Sequence, residues 1–149
     1  MRLDDFVLYL DENLDNCKPI MDALIAHNVR FERHRDHFPP GTLDEVWLSA
    51  VGTNDWIVLT KDKHNRYNQW EKSAIRRHRV REFYFASGNI NASEMATALI
   101  AALPELRSLL RMLDPPFVVS ITRSGAVTVV FDKEGPTHLR RRAKTKTNQ

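Results

Sequence analysis

A chain of 149 residues, 42% hydrophobic and 28% charged, has the size and composition of one globular domain with a single core. No apolar run approaches the roughly 20 residues that a membrane span requires, and the lone Cys17 excludes a disulfide framework and a thiolate zinc site. Met1-Arg2-Leu3-Asp4-Asp5 carries two acids where a secretory signal has a basic and then an apolar region, so a cytoplasmic protein is expected.

The net charge of +3 is unevenly spread. Residues 133–149 carry six basic side chains against Glu134, a net of +5, and residues 1–132 a net of −2. Within that body, Lys61 to Arg81 holds eight basic residues against Asp62 and Glu71, a net of +6. Such a division suits a polyanion lying beside an acidic pocket, though a solvated helix face and a disordered tail would give the same count.

Phe6-Val7-Leu8-Tyr9-Leu10 is an uninterrupted apolar run of strand length, the pattern of a parallel strand buried on both faces. Pro19 to Asn28 reads as a helix, with Pro19 in its first turn and Asn28 at its C-terminal cap. Val29 to Arg33 alternates as a second strand, and His34 to Gly41, with Pro39-Pro40-Gly41, is a loop. Thr42-Leu43-Asp44-Glu45 has capping-box spacing and opens a short helix to about Val51. Trp56 to Thr60 is a buried-type strand, Tyr67 to Arg77 a polar and basic helix, and Val80 to Ala86 another apolar strand. Asn91-Ala92-Ser93-Glu94 repeats the capping-box pattern before a long helix that ends ahead of Pro115-Pro116. Phe117–Thr122 and Ala126–Phe131 flank Arg123-Ser124-Gly125 as a hairpin. The alternation predicts an open, mostly parallel α/β sheet with helices on both faces, three layers in all, plus a C-terminal β-hairpin. The expected division is an α/β domain over 1–115, an appended hairpin over 116–132 and a basic, disordered tail over 133–149.

Ligands of open parallel sheets bind beyond the carboxyl ends of the strands. Asp11 directly follows the first strand and Asp62 comes two residues after Thr60, so both emerge at that edge, and Asp44 can approach it from the start of its helix. Three carboxylates converging there repel one another unless a hard cation neutralises them, and oxygen donors suit Mg²⁺ or Mn²⁺. Asp11 could instead cap the next helix. Glu45, at the fourth place of the capping box, is better assigned to the backbone of Thr42, which leaves Asp44 as the ligand. Glu12 and Asp15 are candidates for an outer ring around Asp11, with plain solvent exposure the favoured reading. His34, Asp36 and His37 in a loop are a weak zinc signal, and Cys17 reads as a small buried thiol. Phosphate-binding glycine loops and a nucleophile elbow are absent from the sequence.

Tyr9-Leu10-Asp11-Glu12-Asn13-Leu14, Asp44-Glu45-x-Trp47-Leu48 and Trp56-Ile57-Val58-Leu59-Thr60-Lys61-Asp62-Lys63 resemble the PIN-like nuclease domains, in their VapC-type toxin-like branch. The loop His34-x-Asp36-x-Phe38, the stretch Phe83 to Asn89 and Pro116-Phe117 look like the same branch, and the resemblance spans Phe6 to Val127. It implies a Mg²⁺- or Mn²⁺-dependent endoribonuclease, with Asp11, Asp44 and Asp62 in the acidic metal-binding places. A fourth acid usually follows the third; here Asn65 and Arg66 stand there, and Glu71 is the first acidic candidate. Glu12, Glu45 and Glu71 are therefore secondary candidates. The resemblance also implies an RNA substrate and a small DNA-binding antitoxin as partner, and a homodimer is left open. Lys61, Lys63, Arg66, Arg76 and Arg77 are the candidate RNA-binding residues, with Tyr67 or Trp70 as stacking surfaces. The competing reading is a PIN-like module that binds RNA or protein and cuts nothing.

Overall fold

The computed structural model describes residues 6–61 and 69–137. In chain order these form β1 (Val7–Leu10), α1 (Lys18–Ala26), β2 (Arg30–Arg33), a 3₁₀ turn (His34–Asp36), α2 (Asp44–Thr53), β3 (Ile57–Thr60), α3 (Gln69–Arg77), β4 (Arg81–Phe85), α4 (Ala92–Met112), β5 (Phe117–Ile121), β6 (Val127–Asp132) and the two-residue β7 (Gly135–Pro136). The strands make one sheet in the order β2-β1-β3-β4-β5-β6-β7. The first five in that order run parallel, and β6 and β7 close the sheet antiparallel.

Uninterrupted apolar strands are what this architecture requires, because each strand feeds two cores in turn. Leu8, Leu10, Ile57, Leu59, Phe83, Phe85, Phe117 and Val119 face the larger core, which α1 and α4 cover with Ile20, Leu24, Leu99, Leu103 and Leu106. Tyr9, Val58, Tyr84 and Val118 face the opposite side, where Trp47, Leu48 and Val51 of α2 and Ala74 and Ile75 of α3 close over them. The three layers expected from the alternation of elements are therefore present.

Two capping-box patterns meet different fates. At Asn91 the box is complete: the Asn91 side chain accepts from the Glu94 amide at 2.8 Å and the Glu94 carboxylate accepts from the Asn91 amide at 3.0 Å. At Thr42 it does not form. The Thr42 hydroxyl donates to the Pro39 carbonyl at 2.7 Å, Leu43 takes the N-cap position of α2, and no side chain caps it. Glu45 is thus released from the role expected of it.

The hairpin expected after the α/β unit is built into the sheet. β5 pairs in parallel with β4 along five residues and is buried throughout. Its turn holds Gly125 at φ 88°, where an added Cβ would lie 2.7 Å from that of Ala101 in α4, so the turn rests directly on the long helix. Residues 133–137, expected in the tail, continue the sheet. β7 pairs with β6, and the Thr137 hydroxyl donates to the Val129 carbonyl at 2.6 Å. The rest of the basic tail lies outside the described residues.

Candidate active site

From β1 the chain passes to β2 on one side and then, by way of α2, to β3 on the other. The carboxyl ends of β1 and β3 therefore flank a topological switch point, where open α/β sheets carry their ligand crevice. Asp11 stands there. It is only 4% exposed, and its amide still donates to Leu59 of β3 at 3.4 Å. Its Oδ2 accepts from the hydroxyl of Thr60, the last residue of β3, and its Oδ1 accepts from the Asn13 amide at 3.1 Å. The carboxylate is thus tied across the two strands that define the crevice. The helix-cap reading of Asp11 fails, because Cys17 is the N-cap of α1. Cys17 itself is half-buried rather than enclosed.

Asp44 is the first residue of α2, and its Oδ1 accepts from the indole Nε1–H of Trp47 at 2.9 Å. Trp47 stacks on Tyr9, with centroids 5.6 Å apart and planes 16° from parallel, so Asp44 is linked through two rings to the strand that delivers Asp11. Glu45 points elsewhere. Its Oε1 accepts from His78 Nε2 at 2.9 Å and from Arg77 at 2.6 Å, joining α2 to the end of α3. The His78 hydrogen bond, with Arg77 beside it, holds the Glu45 carboxyl below its ordinary value. This replaces the expected bond to Thr42.

Asp15 corrects a further expectation. Favoured as solvent-exposed, it is 2% exposed and accepts from the Arg35 amide at 2.9 Å and the Arg35 guanidinium at 3.0 Å. The Arg33 Nε–H donates to the Asp15 carbonyl at 2.7 Å. The β1–α1 loop is therefore clamped to the end of β2. Glu12, by contrast, is exposed as expected, with the Gly41 amide donating to it at 3.3 Å.

Sequence reasoning missed the aromatic group behind Asp11. Tyr9 is fully buried, and its hydroxyl bonds His34 Nδ1. Trp47 and Trp56 stack against the tyrosine ring, while Phe38 lies against His34 and His37 against Trp56. Burial, and then the charges of Asp11, Asp15 and Glu12, push the Tyr9 hydroxyl well above its ordinary value, so it stays protonated. A signal existed: a tyrosine inside a buried strand needs a partner for its hydroxyl.

Among the candidate RNA-binding residues, Lys61 is exposed directly after β3. Arg76 lies with its guanidinium 5.3 Å from the Phe131 ring centre, and Arg77 holds Glu45. Arg81, counted in the same basic segment, is buried; its guanidinium donates to the Asp55 carbonyl at 3.2 Å, and burial lowers its pKa. Asp62, Lys63, Arg66 and Tyr67 lie outside the described residues, as do the side chains of Trp70 and Glu71.

Asp11, just after β1, and Asp44, at the start of α2, each offer carboxylate oxygens, the donor type a hard divalent cation takes. Among the described residues, His34, Asp36 and His37 included, no three His, Cys, Asp or Glu side chains gather as a metal cluster. Nor is any helix among them long and apolar enough to cross a membrane.

Comparison with known proteins gives one result. The family model described as PIN like domain matches residues 7–87, more than half of the 149 residues, while no curated protein and no solved structure matches. The matched span runs from the first residue of β1 past the end of β4, and so contains the switch point, Asp11, Asp44 and Thr60. The chain belongs to the PIN-like domain family.

Proposed function

We propose that this chain is a Mg²⁺- or Mn²⁺-dependent endoribonuclease of the VapC-type toxin-like branch, acting in the cytoplasm and held in check by a small DNA-binding antitoxin. The observation that carries the reading is the buried Asp11 carboxylate at the β1–β3 switch point, tied to Thr60, which Lys61-Asp62-Lys63 follow in the sequence. Asp11, Asp44 and Asp62 are the residues that would hold the ion, with Glu12 and Glu71 in secondary places; Glu45, bound to His78 and Arg77, drops out of that set. When bound, the ion supplies Lewis acidity and a water of lowered pKa. The protein's own part is positional. The Thr60 hydroxyl fixes one oxygen of Asp11 so that the other faces a defined direction, and the Trp47 indole does the same for Asp44. Lys61, Lys63 and Arg66 offset the charge of neighbouring phosphates, and Tyr67 and Trp70 offer rings on which single-stranded bases stack.

In-line hydrolysis of this kind leaves a 5′-phosphate and a 3′-hydroxyl. Incubating purified protein with mixed RNA, in EDTA and in Mn²⁺, and sequencing the ends tests the reading. Cleavage confined to the Mn²⁺ sample with those ends supports it, and identical RNA in both samples refutes it. One observation favours the second reading, a binding module that does not cut: Asn65 and Arg66 follow Asp62 in the sequence where a fourth acid would stand. Retention of RNA on the protein without any new ends in Mn²⁺ would select that reading.

A further inference from the structure

Next to Asp11 lies a cleft of about 570 Å³, within the range of small-ligand sites, whose lining includes neither Asp11 nor Asp44. Glu12 and Asp15 line it from the β1–α1 loop, and His34, Asp36, Phe38 and Pro39 from the segment after β2. Phe38, Pro39 and Pro40 give it an apolar wall; Arg35 and Asp15 are paired with each other, which leaves Glu12 and Asp36 as its remaining acids and the imidazoles of His34 and His37 beside them. Such a cleft repels phosphate and accepts a flat, uncharged ring. It also contains an unmet hydrogen bond. His34 is 2% exposed and gives Nδ1 to Tyr9, but its Nε2 is buried with no partner. Phe38, half-buried, has its ring centre 5.5 Å from the imidazole and Trp47 lies edge-on to it at 6.0 Å, so an entering ring reaches Nε2 only when a neighbouring side chain gives way.

We infer that this cleft is a base-binding pocket for the nucleotide next to the one held at Asp11, selective for a base with an exocyclic amino group such as cytosine. The inference rests on the ribonuclease reading for its choice of RNA. The amino group donates to the carboxylates of Glu12 and Asp36, His34 Nε2 supplies the second polar contact, and the aromatic and prolyl walls take the faces of the ring. Uracil matches cytosine in size but turns a carbonyl oxygen toward the same carboxylates, and is rejected.

Fluorescence anisotropy of labelled oligo(C) and oligo(U) hexamers in EDTA tests this without any cleavage. The wild type should bind oligo(C) about fivefold tighter or more, the low end of what one good base contact contributes. Asp36→Ala, at an exposed position, and His34→Gln should each bring the ratio toward one. Should His34→Gln fail to fold by circular dichroism, Asp36→Ala decides alone. Equal affinities in the wild type, or an unchanged ratio in the folded variants, overturns the pocket. Preference for oligo(C) in EDTA with no cutting in Mn²⁺ supports the pocket and refutes the nuclease, and cutting without that preference does the reverse.

Discussion

At the scale of single residues, the site depends on polar groups that the fold buries in pairs. Tyr9 is the clearest case. Its hydroxyl is the partner of His34 Nδ1, and the other imidazole nitrogen has none. Tyr9→Phe keeps the stacking on Trp47 and Trp56 but strands both nitrogens of a buried ring. The expected loss is roughly 1–3 kcal/mol in urea denaturation; an unchanged midpoint would show that His34 finds another partner. Glu45 allows a test in pH. Its folded pKa is depressed below the ordinary 4.5 by His78 and then Arg77, so the unfolded chain takes up protons first as the solution is acidified. The contribution of Glu45 is therefore complete above about pH 4.5 and fades as pH falls through the lower, folded value. Glu45→Gln should flatten the acid limb of a stability-against-pH curve. None of these pairings was legible in the sequence, because Tyr9–His34, Asp15–Arg35 and Glu45–His78 join residues 20 to 33 positions apart, beyond the reach of any local period.

At the scale of elements, the sequence was much more informative. The apolar run through Leu8, Tyr9 and Leu10 named a strand buried on both faces, and it is one. Asn91 and Thr42 present the same four-residue pattern, yet only the first caps a helix. The difference is local competition: a carbonyl at Pro39 takes the Thr42 hydroxyl, and Arg77, at the end of α3, and His78 after it offer Glu45 two side-chain partners in place of one backbone amide. The contact between α2 and the end of α3 is close for a second reason. A Cβ at Gly52 would lie 2.1 Å from the His78 carbonyl oxygen. Gly52→Ala should force α2 away from that backbone at a cost of roughly 1–3 kcal/mol or more, and should weaken the acid-limb dependence on Glu45 as well. Thermal melts of the single and double variants check both expectations; additive losses would show that the two contacts are independent.

At the scale of the whole molecule, the strand order does what no single motif could. Because the chain leaves β1 toward β2 and returns to β3, the carboxyl ends of β1 and β3 meet at the switch point, and Asp11 reaches Thr60 across 49 positions of sequence. The edge location of Asp11 was legible once its strand was recognised, but its tie to Thr60 depends on the strand order, which the succession of elements left open. If Asp11, Asp44 and Asp62 share a cation, binding must stabilise the folded chain, by about 2.7 kcal/mol at a hundredfold excess over Kd. That corresponds to a rise in Tm of roughly 5–10 °C for a chain of this size. Asp62→Asn should gain much less from Mn²⁺, and in EDTA should be as stable as the wild type or slightly more so, since one like charge is gone. A variant that melts far below the wild type in EDTA would make Asp62 a structural residue.

The central claim is that the buried Asp11 carboxylate serves metal-assisted RNA hydrolysis, and the cleavage rate of Asp11→Asn in Mn²⁺ measures it most directly. Asparagine removes the charge and keeps an oxygen for the buried Thr60 hydroxyl, giving up the weaker bond from the Asn13 amide near the surface. The variant should therefore fold, and should cut a labelled single-stranded RNA about a hundredfold more slowly or worse, the loss expected when a charged ligand leaves such a site. Cleavage by the folded variant at the wild-type rate would contradict the account.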